Sequence, residues 1–141
     1  MIASRYHDIS CGHLISGHPG KCKNLHGHNY RIHFNCAGRM HNDGMVIDFG
    51  DINTYLCWWL EDNWDHRFLV WDRDPIYSDL KKIDSSVRGV SFNPTAENMA
   101  QYLLDVVGPQ VLPDSVTLQS VTLEETRKCS VTAAMEDSCG S

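Results

Sequence analysis

The sequence predicts an α+β fold: an antiparallel sheet in the order ββααββ with two helices on one face. Three observations predict it. Two N-terminal stretches alternate apolar with polar residues, two central stretches carry apolar residues at helical spacing, and the C-terminal stretch alternates again. With 141 residues the chain fits one domain, 1–141, with its core at about 5–135.

From Arg5 to Ile15, Ile9, Cys11 and Ile15 share one parity while Asp8 and Ser10 take the other, as in a half-buried strand. From His28 to Ala37, Tyr30, Ile32, Phe34 and Cys36 alternate with Asn29, Arg31, His33 and Asn35, which predicts a second strand. Ser16 to Leu25 contains Gly17, Pro19, Gly20 and Asn24, so a loop joins the two into a hairpin. Asp48 then caps a helix whose apolar face is Ile52, Tyr55, Leu56, Trp59 and Leu60. Asp72 to Ser91 is polar and broken and reads as a connector. Thr95 caps a second helix carrying Met99, Tyr102, Leu103 and Val106, with Gly108 as its C-cap before Pro109. Two strands follow, at about Ser115–Thr126 and Cys129–Met135, turning at Arg127-Lys128.

Composition narrows the function. Twelve Lys and Arg against eighteen Asp and Glu leave a net charge of −6, which argues against a general nucleic-acid binder. No uncharged apolar run approaches the ~20 residues of a membrane span. The opening Met1–Asp8 lacks the pattern of a signal peptide, so a reducing cytoplasm is expected. Six cysteines without a C-x-x-C pair then read as core fillers, ligands or nucleophiles, and not as a disulfide framework.

The sharpest chemical signal is His26-Gly27-His28, entering the second strand. Residues two apart on a strand share a face, ~6.6 Å apart at the backbone, and two such imidazoles can span one metal. Their parity is that of Tyr30, Ile32 and Phe34, so both face the buried side. His13 is in phase with Ile9 and Cys11 and faces them if the hairpin closes. Three neutral imidazoles beside a loop describe a catalytic zinc site with an open fourth position; the alternative is three unrelated histidines. Cys22, between Lys21 and Lys23, is placed for a thiolate or general base, with a structural cysteine or a fourth ligand as alternatives. Asp65-His66 reads either as a proton relay or as a histidine at a helix C-terminus. Glu125 shares the parity of Val121 and Leu123: either a carboxylate at the end of an apolar face that awaits a ligand's N–H donors, or an exposed strand end.

These motifs occur together in one order: Cys22-x-x-x-His26-Gly27-His28 after a strand histidine, Gly44-Met45-Val46-Ile47-Asp48-Phe49, Asp65-His66-x-Phe68-Leu69, Pro94-Thr95-Ala96-Glu97-Asn98 and Glu124-Glu125-Thr126. The set resembles the 6-pyruvoyl-tetrahydropterin synthase family of the tunnelling fold, over roughly residues 5 to 135. The Cys-to-His spacing looks closest to its bacterial branch of 6-carboxy-tetrahydropterin synthases. The resemblance implies zinc on His13, His26 and His28, with Cys22, Asp65 and His66 handling protons. It implies Glu125 as the pterin anchor, with Thr95 and Glu97 lining the pterin site. It further implies a lyase converting 7,8-dihydroneopterin triphosphate to 6-carboxy-5,6,7,8-tetrahydropterin, acetaldehyde and triphosphate, in the queuosine and 7-deazapurine route. The alternatives are the pyruvoyl product, which keeps the side chain, and a non-catalytic zinc-stabilised assembly module. Two departures stand out: Ile9-Ser10-Cys11-Gly12-His13 replaces a Phe-x-Ala-Ala-His pattern, and Val70 stands where Asn is frequent. Open sheet edges predict edge-to-edge association, and the resemblance supplies a barrel of three subunits and a hexamer of two barrels.

Overall fold

The computed structural model describes residues 1–136; Cys139 lies outside them. β1 (Ile2–His13) and β2 (His26–Ala37) pair antiparallel along their full length, from Ile2 opposite Ala37 to His13 opposite His26. α1 (49–63) follows, then β3 (Phe68–Trp71), α2 (Ile76–Ile83), β4 (Arg88–Val90), α3 (96–111), β5 (Thr117–Glu124) and β6 (Ser130–Ala134). The six strands form one sheet in the order β4-β3-β1-β2-β5-β6. The predicted four strands are its antiparallel part, β1, β2, β5 and β6.

The connector expected at Asp72–Ser91 is more than a loop. It holds α2 and β4, and β3 and β4 add parallel pairs beyond the loop end of β1. These additions bury Val70 with Leu14 and Val87 in a small separate cluster, packed by Phe68, Tyr77 and Leu80. An apolar residue at position 70 therefore has a packing reason.

Both predicted N-caps form. Asp48 Oδ1 accepts from the Gly50 N–H at 2.6 Å, and Thr95 Oγ1 accepts from the Asn98 N–H at 3.1 Å. Each helix contains a wide π turn, closed by Trp58 N–H to the Asn53 carbonyl and by Gly108 N–H to the Leu103 carbonyl. A wide turn makes the buried stripe advance by four residues: Ile52, Leu56 and Leu60 in α1 with Trp64 at its C-cap, and Met99, Leu103 and Val107 in α3. Tyr55 and Val106, expected on the buried faces, are displaced toward solvent for this reason. Gly108 is no C-cap. The helix runs on to Val111, and a Cβ at Gly108 would lie 2.8 Å from Leu118 Cδ2, so glycine there permits close helix–sheet approach.

α1 and α3 pack on the face of the sheet that carries Ile9, Cys11, Tyr30, Ile32, Phe34, Cys36, Val121 and Leu123. A bulge in β5, where Ser120 pairs with Asn35 and Leu118 with Cys36, leaves Gln119 extra and keeps Leu118 and Val121 both buried. Among the described residues, one polar or charged residue is buried with this core: His13.

Candidate active site

The alternation of β1 and β2 brings three imidazoles together where the hairpin opens. His13 and His26 are direct cross-strand partners, and His28 follows two residues along on the same face. One ring nitrogen from each lies within 4.8 Å of the others. His13 Nε2 is 3.0 Å from His26 Nε2.

Two backbone carbonyls fix the tautomers. His13 Nδ1 is 2.7 Å from the Pro94 carbonyl, and His26 Nδ1 is 2.7 Å from the Asn24 carbonyl. A carbonyl can only accept, so both Nδ1 atoms carry the hydrogen and each neutral ring presents a lone pair at Nε2. Two such lone pairs facing each other need a cation between them. A proton is disfavoured at His13, because burial pushes its pKa down to about 4 against the pull of the Pro94 carbonyl, with His26 and His28 lowering it further. His28 Nε2 is buried and has no hydrogen-bond partner among the described residues. Burial lowers the His28 pKa, with Glu125 opposing and His26 adding to the shift. Converging imidazole lone pairs with carbonyl-held Nδ1 atoms are a donor set that fits zinc.

Glu125 belongs to this cluster. Its Oε1 is 3.5 Å from both His13 Nε2 and His28 Nε2, and the residue follows β5 directly. The strap Asn93-Pro94-Thr95 meets His13 through the Pro94 carbonyl, which places Thr95 one residue from that contact, with Glu97 exposed in the first turn of α3. Cys22 sits in the short 3₁₀ turn Lys21–Lys23, half-buried, its carbonyl accepting from the Ile15 N–H at 2.7 Å. Cys11, Cys36 and Cys57 are core thiols, as expected. Burial pushes Cys11 up to about 12 and the other two up to about 11, so none is a thiolate at neutral pH.

Although His66 and His28 line one cavity of ≈ 480 Å³, Asp65 and His66 make no direct contact with this cluster among the described residues. They dock on the edge of β1, where Ser10 donates its N–H to Asp65 Oδ1 at 2.9 Å and accepts the His66 N–H at 2.7 Å. The two side chains do meet, His66 Nδ1 to Asp65 Oδ2 at 2.8 Å. Burial alone would raise the Asp65 pKa, but the Ser10 N–H and His66 outweigh it and hold the carboxyl below its ordinary value. His66 has φ 57°, a left-handed conformation that costs a non-glycine residue energy and here turns the ring outward, 81% exposed. It lines a cavity of ≈ 500 Å³ with Asp8, Ser10, Asn29, Arg31 and Arg127, on the sheet face opposite the helices. Among the described residues no hydrogen bond or ion pair joins this pair to Cys22 or to the three histidines.

Sequence reasoning missed Tyr30 as part of the site. It is fully buried, its hydroxyl 3.2 Å from His13 Nδ1 and 3.3 Å from Nε2, and burial holds the phenol above its ordinary pKa. Its spacing of two from His28 was the available signal. Of the remaining histidines, His7 pairs with Glu61 and His33 with Glu124, each at 2.6 Å, and His18 Nδ1 accepts the Gly20 N–H at 2.8 Å.

A family model described as 6-pyruvoyl tetrahydropterin synthase matches residues 2–136. A Halobacterium salinarum protein named probable 6-carboxy-5,6,7,8-tetrahydropterin synthase is 36% identical over 120 residues, 84% of this chain and 76% of the relative. A Haemophilus influenzae protein named 6-carboxy-5,6,7,8-tetrahydropterin synthase is 32% identical over 132 residues, 87% of this chain and 91% of the relative. Among solved structures, an uncharacterized Wolinella succinogenes protein has a TM-score of 0.83 at 22% identity, covering 96% of this chain and 98% of its own. The Caenorhabditis elegans 6-pyruvoyl tetrahydropterin synthase has a TM-score of 0.72 at 24% identity, covering 96% of each chain. At those identities the structural likeness establishes the fold alone.

Proposed function

Because this chain belongs to the 6-pyruvoyl tetrahydropterin synthase family and is an enzyme of it, we propose that it is a zinc-dependent lyase acting on 7,8-dihydroneopterin triphosphate. With one water consumed, the products are 6-carboxy-5,6,7,8-tetrahydropterin, acetaldehyde and triphosphate, and the route is that of 7-deazapurines such as queuosine. The observation that carries the reading is the convergence of three imidazoles, with the Nε2 lone pairs of His13 and His26 facing each other and His28 Nε2 close by, beside Glu125. The carboxy product is favoured over the pyruvoyl one by the names of the relatives above 30% identity.

His13, His26 and His28 would hold the metal, which when bound supplies Lewis-acid polarisation of substrate oxygens. Cys22 is the base that removes a proton from the pterin side chain, and Asp65-His66 sets protonation at the reacting carbons. Glu125 accepts from the amino and N–H edge of the pterin, which places the ring against the imidazoles. Thr95 and Glu97 line the same site.

The lack of any hydrogen bond or ion pair between Asp65-His66 and the imidazoles, among the described residues, supports a site shared between subunits. β1 pairs with β3 only at Gly12 and His13 and meets Asp65-His66 at Ser10, so its edge from Ile2 to Ile9 is open, as is the outer edge of β6. Edge-to-edge pairing would close three sheets into a barrel, and two barrels make the proposed hexamer. No helix among the described residues is long and apolar enough to cross a membrane, and we place the enzyme in the cytoplasm. Incubating the zinc-loaded protein with dihydroneopterin triphosphate and identifying all products by mass spectrometry tests the reading. Carboxy-tetrahydropterin with acetaldehyde is the expected outcome, and intact substrate would overturn it.

A further inference from the structure

The loop that carries Cys22 is fastened at both ends: near its C-terminal end the Asn24 carbonyl accepts from His26 Nδ1 at 2.7 Å, and at its start Ser16 is gripped by Asn93. Asn93 Oδ1 accepts the Ser16 N–H at 2.9 Å, and Asn93 Nδ2 donates to the Ser16 carbonyl at 3.0 Å. The amide thus pairs with one residue's backbone at both its donor and its acceptor, across 77 positions of sequence. Ser16 is also held by its hydroxyl, which donates to Asp74 Oδ2 at 2.6 Å. Directly before it, the Ile15 N–H closes the loop on the Cys22 carbonyl at 2.7 Å. Position 22 is therefore tied to 15, and the adjoining residue 16 to Asn93.

The same strap orients the first metal ligand. Pro94, the next residue, gives its carbonyl to His13 Nδ1. The strap itself is stiff: Asn93 precedes proline, which restricts its backbone, and its carbonyl accepts both the Thr95 N–H at 2.7 Å and Asn98 Nδ2 at 2.9 Å. Those bonds come from the main chain of Asn93 and survive loss of its side chain.

We propose that Asn93 is a positioning residue: its side-chain amide sets where Cys22 stands relative to the imidazole cluster. The inference deepens the proposed lyase reading, since it takes Cys22 as the base of that reaction. The amide is specific to the task. An aspartate would keep the acceptor for Ser16 N–H but set a second carboxylate oxygen against the Ser16 carbonyl, where two acceptors repel. The Glu125 anchor takes no part in the clamp, so substrate binding and turnover separate.

The test uses zinc-loaded Asn93→Ala and Asn93→Asp, with Ser16→Ala as a comparison that keeps both Asn93 bonds. Alkylation of Cys22 by iodoacetamide, followed site by site by peptide mass spectrometry, needs no substrate. Both Asn93 variants should alter its rate by about fivefold or more, a hydrogen bond's worth in a loop-opening equilibrium, with zinc stoichiometry retained. On dihydroneopterin triphosphate, kcat should fall about 10- to 100-fold with KM changed far less. Ser16→Ala should fall between these variants and the parent. Alkylation and kcat within twofold of the parent would overturn the proposal. If the parent itself gives no pterin turnover, the lyase reading fails while the alkylation rates still decide the clamp. Should both Asn93 variants misfold, hydrogen exchange on the parent protein decides: the Ser16 amide should be protected relative to Gly17, and equal exchange would overturn the clamp.

Discussion

Stripped of metal by a chelator, the protein should lose stability steeply as pH falls from 6.5 toward 4. The cause is His13, fully buried and facing two other imidazoles, whose pKa drops from 6.5 to about 4 on folding. The unfolded chain takes up a proton at this residue near pH 6.5, whereas the folded chain resists until about 4. Between those values the unfolded state binds more protons, so unfolding free energy rises with pH there. The contribution is complete above pH 6.5 and is worth ~3 kcal/mol at 1.36 kcal/mol per pH unit of difference. His28 shifts in the same direction and steepens the loss. Asp8 and Glu124, held below their ordinary values by Arg31 and His33 respectively, act in a lower window and leave pH 6.5 to 4.5 to the histidines. Urea unfolding at fixed protomer concentration, from pH 7.5 to 4.5, measures the effect. His13→Gln, neutral throughout, should flatten most of the dependence. A change under ~1 kcal/mol in the parent, or an unchanged slope in His13→Gln, would refute burial as the cause.

Cys22→Ala should retain zinc and pterin binding while losing turnover; loss of zinc on this substitution would make Cys22 a ligand instead of a base. Asp65→Asn keeps the acceptor for the Ser10 N–H but turns an amide donor toward His66 Nδ1, inverting the tautomer, so kcat should fall about 10²–10⁴-fold in an otherwise folded enzyme. Gly108→Ala sets two effects against each other: about 1 kcal/mol gained in helix propensity, and about 1–3 kcal/mol of overpacking from a Cβ 2.8 Å from Leu118 Cδ2. A lower melting temperature is expected, and a higher one would mean that Leu118 yields freely. Mixing inactive Cys22→Ala and His66→Ala subunits, unfolded and reassembled together, should restore part of the activity if the site is shared; no recovery in verified mixed oligomers counts against it.

The imidazole cluster was legible in the sequence because strand alternation is strict. His26 and His28 inherit the face of Tyr30 and Ile32, and His13 that of Ile9 and Cys11, and the pairing of His13 with His26 joins the two sets. Glu125 was legible for the same reason, one residue beyond β5 in the phase of Val121 and Leu123. The segment 72–91 was not. Its strands are too short to show alternation, and α2 leaves Ile83 exposed while packing through Tyr77 and Leu80 on Val70, a partner outside the segment. The π turns escaped as well, since a 3.6-residue period has no means of expressing a turn that takes an extra residue. The deepest gap concerns the carbonyls of Asn24 and Pro94. Every residue carries a carbonyl, so no residue type marks the two that set the tautomers of His26 and His13. Side-chain pattern assigns a histidine to a face; only the backbone path decides which of its nitrogens is free to bind.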